Sequence, residues 1–400
     1  MANNKKVPAI RFKGFDKKWE NKKLGDVVVK LIGGASITPN DYMDKGIRTI
    51  PKGAINSSGI ADLSGSKFIS KEYFDLYKHN TVSNNEIVTS LRDLVPSAPN
   101  MGRIVRIVGI QEIFLMPQGV YKIVVSSDLS EDFLITFSNS QVYRCMISAE
   151  KSGSTQVHIR NGEFLGLSIP LPSFQEQQKI GQYFQDLDNL IRLQEQKLEK
   201  VTNLKKAMLE KMFPKENADV PEIRFKGFTE KWKELPVKAL CSISTGKSNT
   251  QDRKIEGVFP FYVRSATIEK SDRFLFDQEA VLTVGDGVGT GKVYHYVNGK
   301  YDLHQRVYRM FDFQGILGKY FYYIFSKEFN KRVMSMTAKT SVDSVRLEMI
   351  SEMKVNLPCM DEQKVIVAYF QNLDQLIAQS QQKIEQLKHL KQALLQKMFI

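Results

Sequence analysis

In two stretches of the chain, 174–213 and 360–399, apolar residues recur at alternating steps of three and four with polar residues between them. That is the period of a helix with one apolar seam. The first seam runs Leu187, Ile191, Gln194, Leu198, Val201, Lys205, Met208, Met212, and the second Leu373, Ile377, Ser380, Ile384, Leu387, Lys391, Leu394, Met398. Leu, Gln, Lys, Glu, Ala and Met dominate both stretches, which suits a helix throughout. Each begins after a Leu-Pro stop followed by Ser173 or Cys359, because the residue before a proline is pushed out of helical geometry. About 40 residues at about 1.5 Å each predict rods of about 60 Å. The seams are interrupted by polar residues in matched columns, Gln194 with Ser380 and Lys205 with Lys391. Such positions fix register and partner in coiled coils at some cost in stability. Two matched rods in one chain can pair without an association cost, which favours an intramolecular coiled coil over two amphipathic helices packed separately on their own domains. Paired antiparallel, they would place two globular domains at opposite ends with approximate two-fold symmetry.

Elsewhere the pattern is one of short β-rich runs and turn signals. Strands are predicted at 87–91, 103–110 and 119–125, and again at 280–284, 292–297 and 305–311. Helices are predicted at 71–77, 131–146 and 318–336, the last rich in aromatic residues at core spacing. Both middle segments are therefore mixed α+β.

The chain repeats itself. VPAIRFKGFDKKW at 7–19 returns as VPEIRFKGFTEKW at 220–232, with ten of thirteen positions identical, and the 171–213 helix region aligns without gaps on 357–399. A lead-in segment, a globular domain and a long helix are thus written twice. Between the repeats, 20–170 and 233–356 share only scattered signals, such as GVYKI at 119–123 beside RVYRM at 306–310, and Arg160 beside Arg346 at equal distance from the helix. A retained scaffold with varied middles is expected if the middles bind different things. The boundaries drawn on this basis are 1–170, 171–216, 217–356 and 357–400.

The net charge is +13, and a polyanionic partner is the natural reading because basic surface gains by releasing counterions from phosphates. A generic basic protein is the alternative, since no basic tail localises the charge. Lys197, Lys200, Lys205, Lys206 and Lys211 alternate with Glu195, Glu199 and Glu210, which suits a solvated coiled-coil face better than a phosphate-binding stripe. No run of eighteen uncharged apolar residues suggests a membrane span, and the N-terminal stretch lacks a signal-peptide core, so a cytoplasmic location is expected. Cys145, Cys241 and Cys359 form no CxxC pair, which argues against a disulfide framework or structural zinc.

Catalytic motifs do not emerge. GDGVGTGK at 285–292 misses the phosphate-loop template, with Asp286 at the first glycine position and Val293 after Lys292; a tight hairpin is the better reading. Glu362-Gln363-Lys364 and Glu352-Met353-Lys354 have the Glu-x-Lys pattern of many nucleases, but short charged triplets are common and the first lies in the repeated helix start. The five histidines show no metal-ligand spacing, and neither the glycine-rich loop nor the tetrapeptide of an adenine methyltransferase is present.

Polar loops instead combine Arg and Lys with Ser, Thr, Asn, Gln and His, the side chains that contact phosphates and base edges. The DNA contacts expected from loop composition are Arg92, Asn100, Arg103, Ser154, Gln156 and Arg160 in the first domain, and Lys247, Arg264, Thr290, Lys292, Gln305, Arg306, Lys339, Ser341 and Arg346 in the second.

With these features together, the chain resembles the specificity subunit of a type I restriction–modification system. The VPxIRFKGF…KW segments, the LP-x3-EQ…YF…LD…KMF helices and HQRVY at 304–308 carry the resemblance, which covers essentially the whole chain. It implies two target-recognition domains, each reading half of a split DNA site, and two antiparallel helices acting as the spacer. It also implies two modification subunits docked on that scaffold, carrying S-adenosylmethionine and the methylation, and two ATP-driven translocase–nuclease subunits with their Mg²⁺. No catalytic site and no cofactor are expected in this chain, and half-sites about one helical turn apart are expected. A stand-alone DNA-modifying enzyme and a coiled-coil adaptor without a DNA role are the competing readings.

Overall fold

The computed structural model describes residues 7–51, 53–109, 112–215, 218–287, 289–336 and 344–400. The 174–213 and 360–399 patterns fold as continuous helices, Phe174–Lys211 and Met360–Lys397. The chain divides into two compact units, Met1–Glu195 with Gln382–Ile400, and Gln196–Gln381. Each unit therefore combines one globular domain, its own lead-in segment and a part of both long helices.

In unit 1 the central sheet orders its strands Val28–Gly33, Val120–Val125, Ile87–Ser90, Ile104–Arg106, all antiparallel. In unit 2 the order is Ser242–Thr245, Val307–Phe311, Ala280–Val284, Tyr294–Val297, again all antiparallel. The two middles share few residues, yet they build the same sheet. A small antiparallel pair joins the start of each domain to its end: Glu20–Lys23 with Ser168–Leu171, and Lys233–Pro236 with Lys354–Leu357.

The predicted helix at 318–336 is present as Gly318–Ser335. The one predicted at 131–146 is broken into Glu131–Phe137 and Gln141–Glu150. The break falls at Ser138-Asn139-Ser140, where the Ser140 hydroxyl accepts from the Tyr143 amide and caps a new helix. Among the described residues, predicted strands 103–110 and 292–297 shorten to Ile104–Arg106 and Tyr294–Val297, with Ile110 outside the described set.

Within each unit the helix segments run antiparallel. In unit 1 Lys391 reaches Asp188 at 2.6 Å and Lys388 reaches Glu195 at 2.7 Å, so one segment ascends as the other descends. In unit 2 Lys205 pairs with Asp374, whose other oxygen accepts from the Tyr323 hydroxyl at 2.7 Å. The lysines that interrupt the seams thus meet the aspartates of the repeated Leu-Asp step. Asp188 titrates above the ordinary carboxylate value because burial outweighs the attraction of Lys391, so this pair sets register more than it adds stability.

The repeated motifs lock one another. The Arg11 guanidinium donates through Nε and Nη2 to both oxygens of the buried Glu176, each at 2.7 Å, and Arg224 does the same to Glu362 at 2.7 and 2.8 Å. The neighbouring Gln177 accepts from the Ser130 amide and donates to the Asp128 and Pro172 carbonyls; Gln363 accepts from the Leu317 amide and donates to those of Gly315 and Pro358. Glu362 is therefore a structural anchor rather than part of a nuclease triplet. In the other triplet Glu352 meets Lys238 and Lys354 meets Glu234.

The closing Lys-Met-Phe of each repeat supplies core. Phe399 packs on Trp19, Phe133, Phe137 and Phe184 in unit 1, and Phe213 on Trp232, Tyr320 and Phe370 in unit 2, with centroid separations of 5.5–6.4 Å. No helix among the described residues is long and apolar enough to cross a membrane.

Candidate nucleic-acid interface

The strand Val120–Val125 and its counterpart Val307–Phe311 are each entered through a tight turn. In unit 1 the turn is Pro117-Gln118-Gly119-Val120, closed by the Val120 amide on the Pro117 carbonyl at 3.1 Å. In unit 2 it is His304-Gln305-Arg306-Val307, closed by Val307 on His304 at 2.9 Å. Gly119 has φ +96°, a conformation that suits glycine. Arg306 does not need it: the His304 ring nitrogen Nδ1 accepts from the Arg306 amide at 3.0 Å and braces the turn from within.

The surroundings match position by position. The backbone crosses each turn closely enough that a Cβ on Gly34 would lie 2.1 Å from the Pro117 carbonyl oxygen, and one on Gly246 2.0 Å from that of Leu303. Both glycines are therefore required. The Leu91 amide donates to Gly119 and the Leu91 carbonyl accepts from Ile159; Gly285 does the same with Arg306 and Val345. Arg92 then pairs with His158, and Asp286 bridges to Ser344. Arg160 and Arg346 follow as the residues preceding the short helices Asn161–Gly166 and Leu347–Ser351.

In unit 1 this arrangement opens on a cleft of about 970 Å³, lined by Arg92, Asn100 and Gln156 and also by Tyr42, Lys67, Gln118 and His158. The Lys67 ammonium lies 4.7 Å over the Tyr42 ring. Ser154 and Arg160 are exposed on neighbouring loops. Arg103 is committed inside the fold: its Nε donates to the Pro99 carbonyl at 2.8 Å and its Nη1 to Asn139. Burial, reinforced by Arg144, draws its pKa down to about 10. It braces the 91–103 loop.

In unit 2 Lys247, Arg264, Gln305, Arg306, Lys292 and Arg346 are exposed. Arg264 and Arg306 flank one carboxylate, with Nη1 to Asp286 Oδ1 and Nε to Oδ2 both 3.6 Å. Gln305 donates to the Asn249 side chain at 2.6 Å, and beneath it the buried Ser248 hydroxyl donates to the buried Asp302 at 2.6 Å. Thr290 is buried and donates to the Gly287 carbonyl at 2.6 Å, in the connection between the antiparallel strands Ala280–Val284 and Tyr294–Val297; Val288 lies outside the described residues. Lys339 and Ser341 lie outside the described residues. His304 and His295 both titrate below the ordinary imidazole value, chiefly through burial, with Arg264 adding to the effect at His304. Among the described residues no three His, Cys, Asp or Glu side chains group to hold a metal.

Gln118 was not singled out by loop composition. The signal lay one residue upstream of the GVYKI–RVYRM match, which extends to QGVYKI beside QRVYRM.

Comparison with known proteins likewise finds one domain present twice in the chain. The model of the type I restriction modification DNA specificity domain matches residues 16–203 and again 229–389. The chain belongs to this family. The type I specificity relatives include the MjaVIII specificity subunit of Methanocaldococcus jannaschii, 23% identical over 94% of this chain and 91% of its own length. The EcoDI specificity subunit of Escherichia coli is 28% identical over 41% of this chain and 35% of its own length. Among solved structures, the type I S subunit from M. genitalium superimposes with a TM-score of 0.66 at 16% identity, covering 98% of this chain and 99% of that one. A chain from a type I R-M assembly gives 0.54 at 16% identity, covering 96% and 98%. These two share the specificity-subunit fold with the present chain, which is mixed α/β with two specificity domains and long helices.

Proposed function

We propose that this chain is the non-catalytic DNA-reading subunit of a type I complex, each unit reading one half of a bipartite, asymmetric site. The observation that carries the reading is the pair of equivalent turns: one backbone frame presents Arg92, Gln118 and Gly119 in unit 1, and Asp286, Gln305 and Arg306 in unit 2. A constant frame with different polar side chains is suited to reading different sequences, because base edges differ in their donors and acceptors while phosphates do not. Asn100, Ser154, Gln156, Arg160, Lys247, Arg264, Lys292 and Arg346 are further expected contacts, as are Lys339 and Ser341, which lie outside the described residues; Arg103 and Thr290 shape the loops of their domains. The +13 charge supplies sequence-independent attraction that weakens with salt. Two modification subunits carrying S-adenosylmethionine, and two ATP- and Mg²⁺-dependent translocase–nuclease subunits, would supply catalysis, with the long helices as docking scaffold and spacer.

Selection from a randomised duplex library, using the chain assembled with its modification subunits, tests this. A two-part, non-palindromic motif is expected. Enrichment of no motif, or methyl transfer by this chain alone, would contradict it.

A further inference from the structure

One backbone position has opposite charge in the two units. Arg92 and Asp286 both follow the residue that bonds across the turn to Gly119 or Arg306, and both face the strand that leads to the Arg160 or Arg346 position. In unit 1 the Arg92 side chain lies along Gly119, near enough that a Cβ there would come within 3.2 Å of its Cδ. In unit 2 the turn residue is itself an arginine, and the position opposite is an acid. Asp286 stands between Arg264 and Arg306, one oxygen toward each at 3.6 Å. Its side chain is about one-quarter exposed, against about one-half for Arg264 and more for Arg306. Its Oδ1 has no hydrogen-bond partner among the described residues.

We infer that Asp286 is a specificity-determining positioning residue. Resting on the DNA-reading function proposed above, the inference assigns it two effects. A carboxylate between two guanidinium groups restrains both, so that Arg264 and Arg306 are held ready for bidentate contact with a base edge rather than free to follow any phosphate. Its negative charge also offsets part of the local attraction for the backbone, which lowers binding to unrelated DNA. The acid thus increases discrimination by weakening the wrong contacts as well as by aligning the right ones. The position filled by Arg92 is the corresponding one in unit 1, where an arginine can stand directly over a glycine turn and needs no restraining acid.

The test compares wild type, Asp286→Asn and Asp286→Glu, each assembled with the modification subunits, in selection from a randomised duplex library and in salt titrations on an unrelated duplex. For Asp286→Asn, one half of the selected motif should degrade while the other half stays unchanged. Discrimination at the affected position should fall about 5- to 150-fold, the range for one lost bidentate base contact. The unrelated duplex should bind more tightly, with a salt slope steeper by about 0.9 as one freed arginine takes a phosphate. Adding Asp286→Asn to Arg264→Ala/Arg306→Ala should change the selected motif no further, a readout that a merely structural role would not give, while the unrelated duplex should still bind somewhat more tightly through the lost negative charge. Asp286→Glu, which keeps the charge, should keep the wild-type motif. A wild-type motif from Asp286→Asn, or equal damage from Glu and Asn, overturns the inference and leaves the DNA-reading function standing. No motif from wild type overturns both.

Discussion

Arg11 gives up most of its hydration to dock on Glu176, which is 1% exposed, and Arg224 does so on Glu362. Both bonds of each fork are used, so the guanidinium rather than the charge alone is needed. Arg11→Met should destabilise unit 1 by about 3–5 kcal/mol, because it leaves a buried carboxylate unpaired; adding Glu176→Gln should recover part of that loss, both read by urea unfolding. Two histidines give unit 2 a pH dependence. His295 and His304 have folded pKa values below their unfolded value of 6.5. The unfolded chain therefore takes up protons first as pH falls. The stability they carry is present above that value and lost below it. Thermal unfolding between about pH 7.5 and about pH 5.5 should show a falling midpoint for unit 2, and His295→Gln/His304→Gln should reduce the fall.

At the scale of elements, the long helices and the duplication were legible in the sequence because periodicity and repetition are local signals. Even the interrupting lysines were marked, although their partners, Asp188 and Asp374, could be found only by folding the chain. The shared sheet plan was not legible, since antiparallel pairing between distant strands leaves no trace when only the pattern of turn and strand is kept. The 131–146 helix was misread as continuous because Ser140 is acceptable inside a helix by propensity, while its hydroxyl is used here as a cap. Arg103 and Thr290 have the composition of contact residues, but composition cannot distinguish a side chain turned toward solvent from one bonded inward. The repetition of Lys-Met-Phe marks Phe399 as part of the scaffold, but only the fold shows that it lies among four aromatic rings. Phe399→Ala should cost unit 1 about 3–5 kcal/mol, and Phe213→Ala should do the same to unit 2, each leaving the other unit's transition in place in calorimetry.

For the whole molecule, the repeated residues hold the frame and the unrepeated ones vary what it presents. Arg11–Glu176, Arg224–Glu362, the Gln177 and Gln363 networks and the closing phenylalanines recur in both units because each must join a lead-in segment, a domain and two helix segments in the same way. Under the proposed function, the different side chains that the turns carry on the same backbone predict two unlike half-sites rather than a palindrome. Methylome sequencing of cells expressing the complete system, with this chain and with a version whose 20–170 segment comes from another family member, tests that division most directly. The account predicts that the modified sequence changes in one half only, the other half remaining as in the parent; a change in both halves, or in neither, would contradict it.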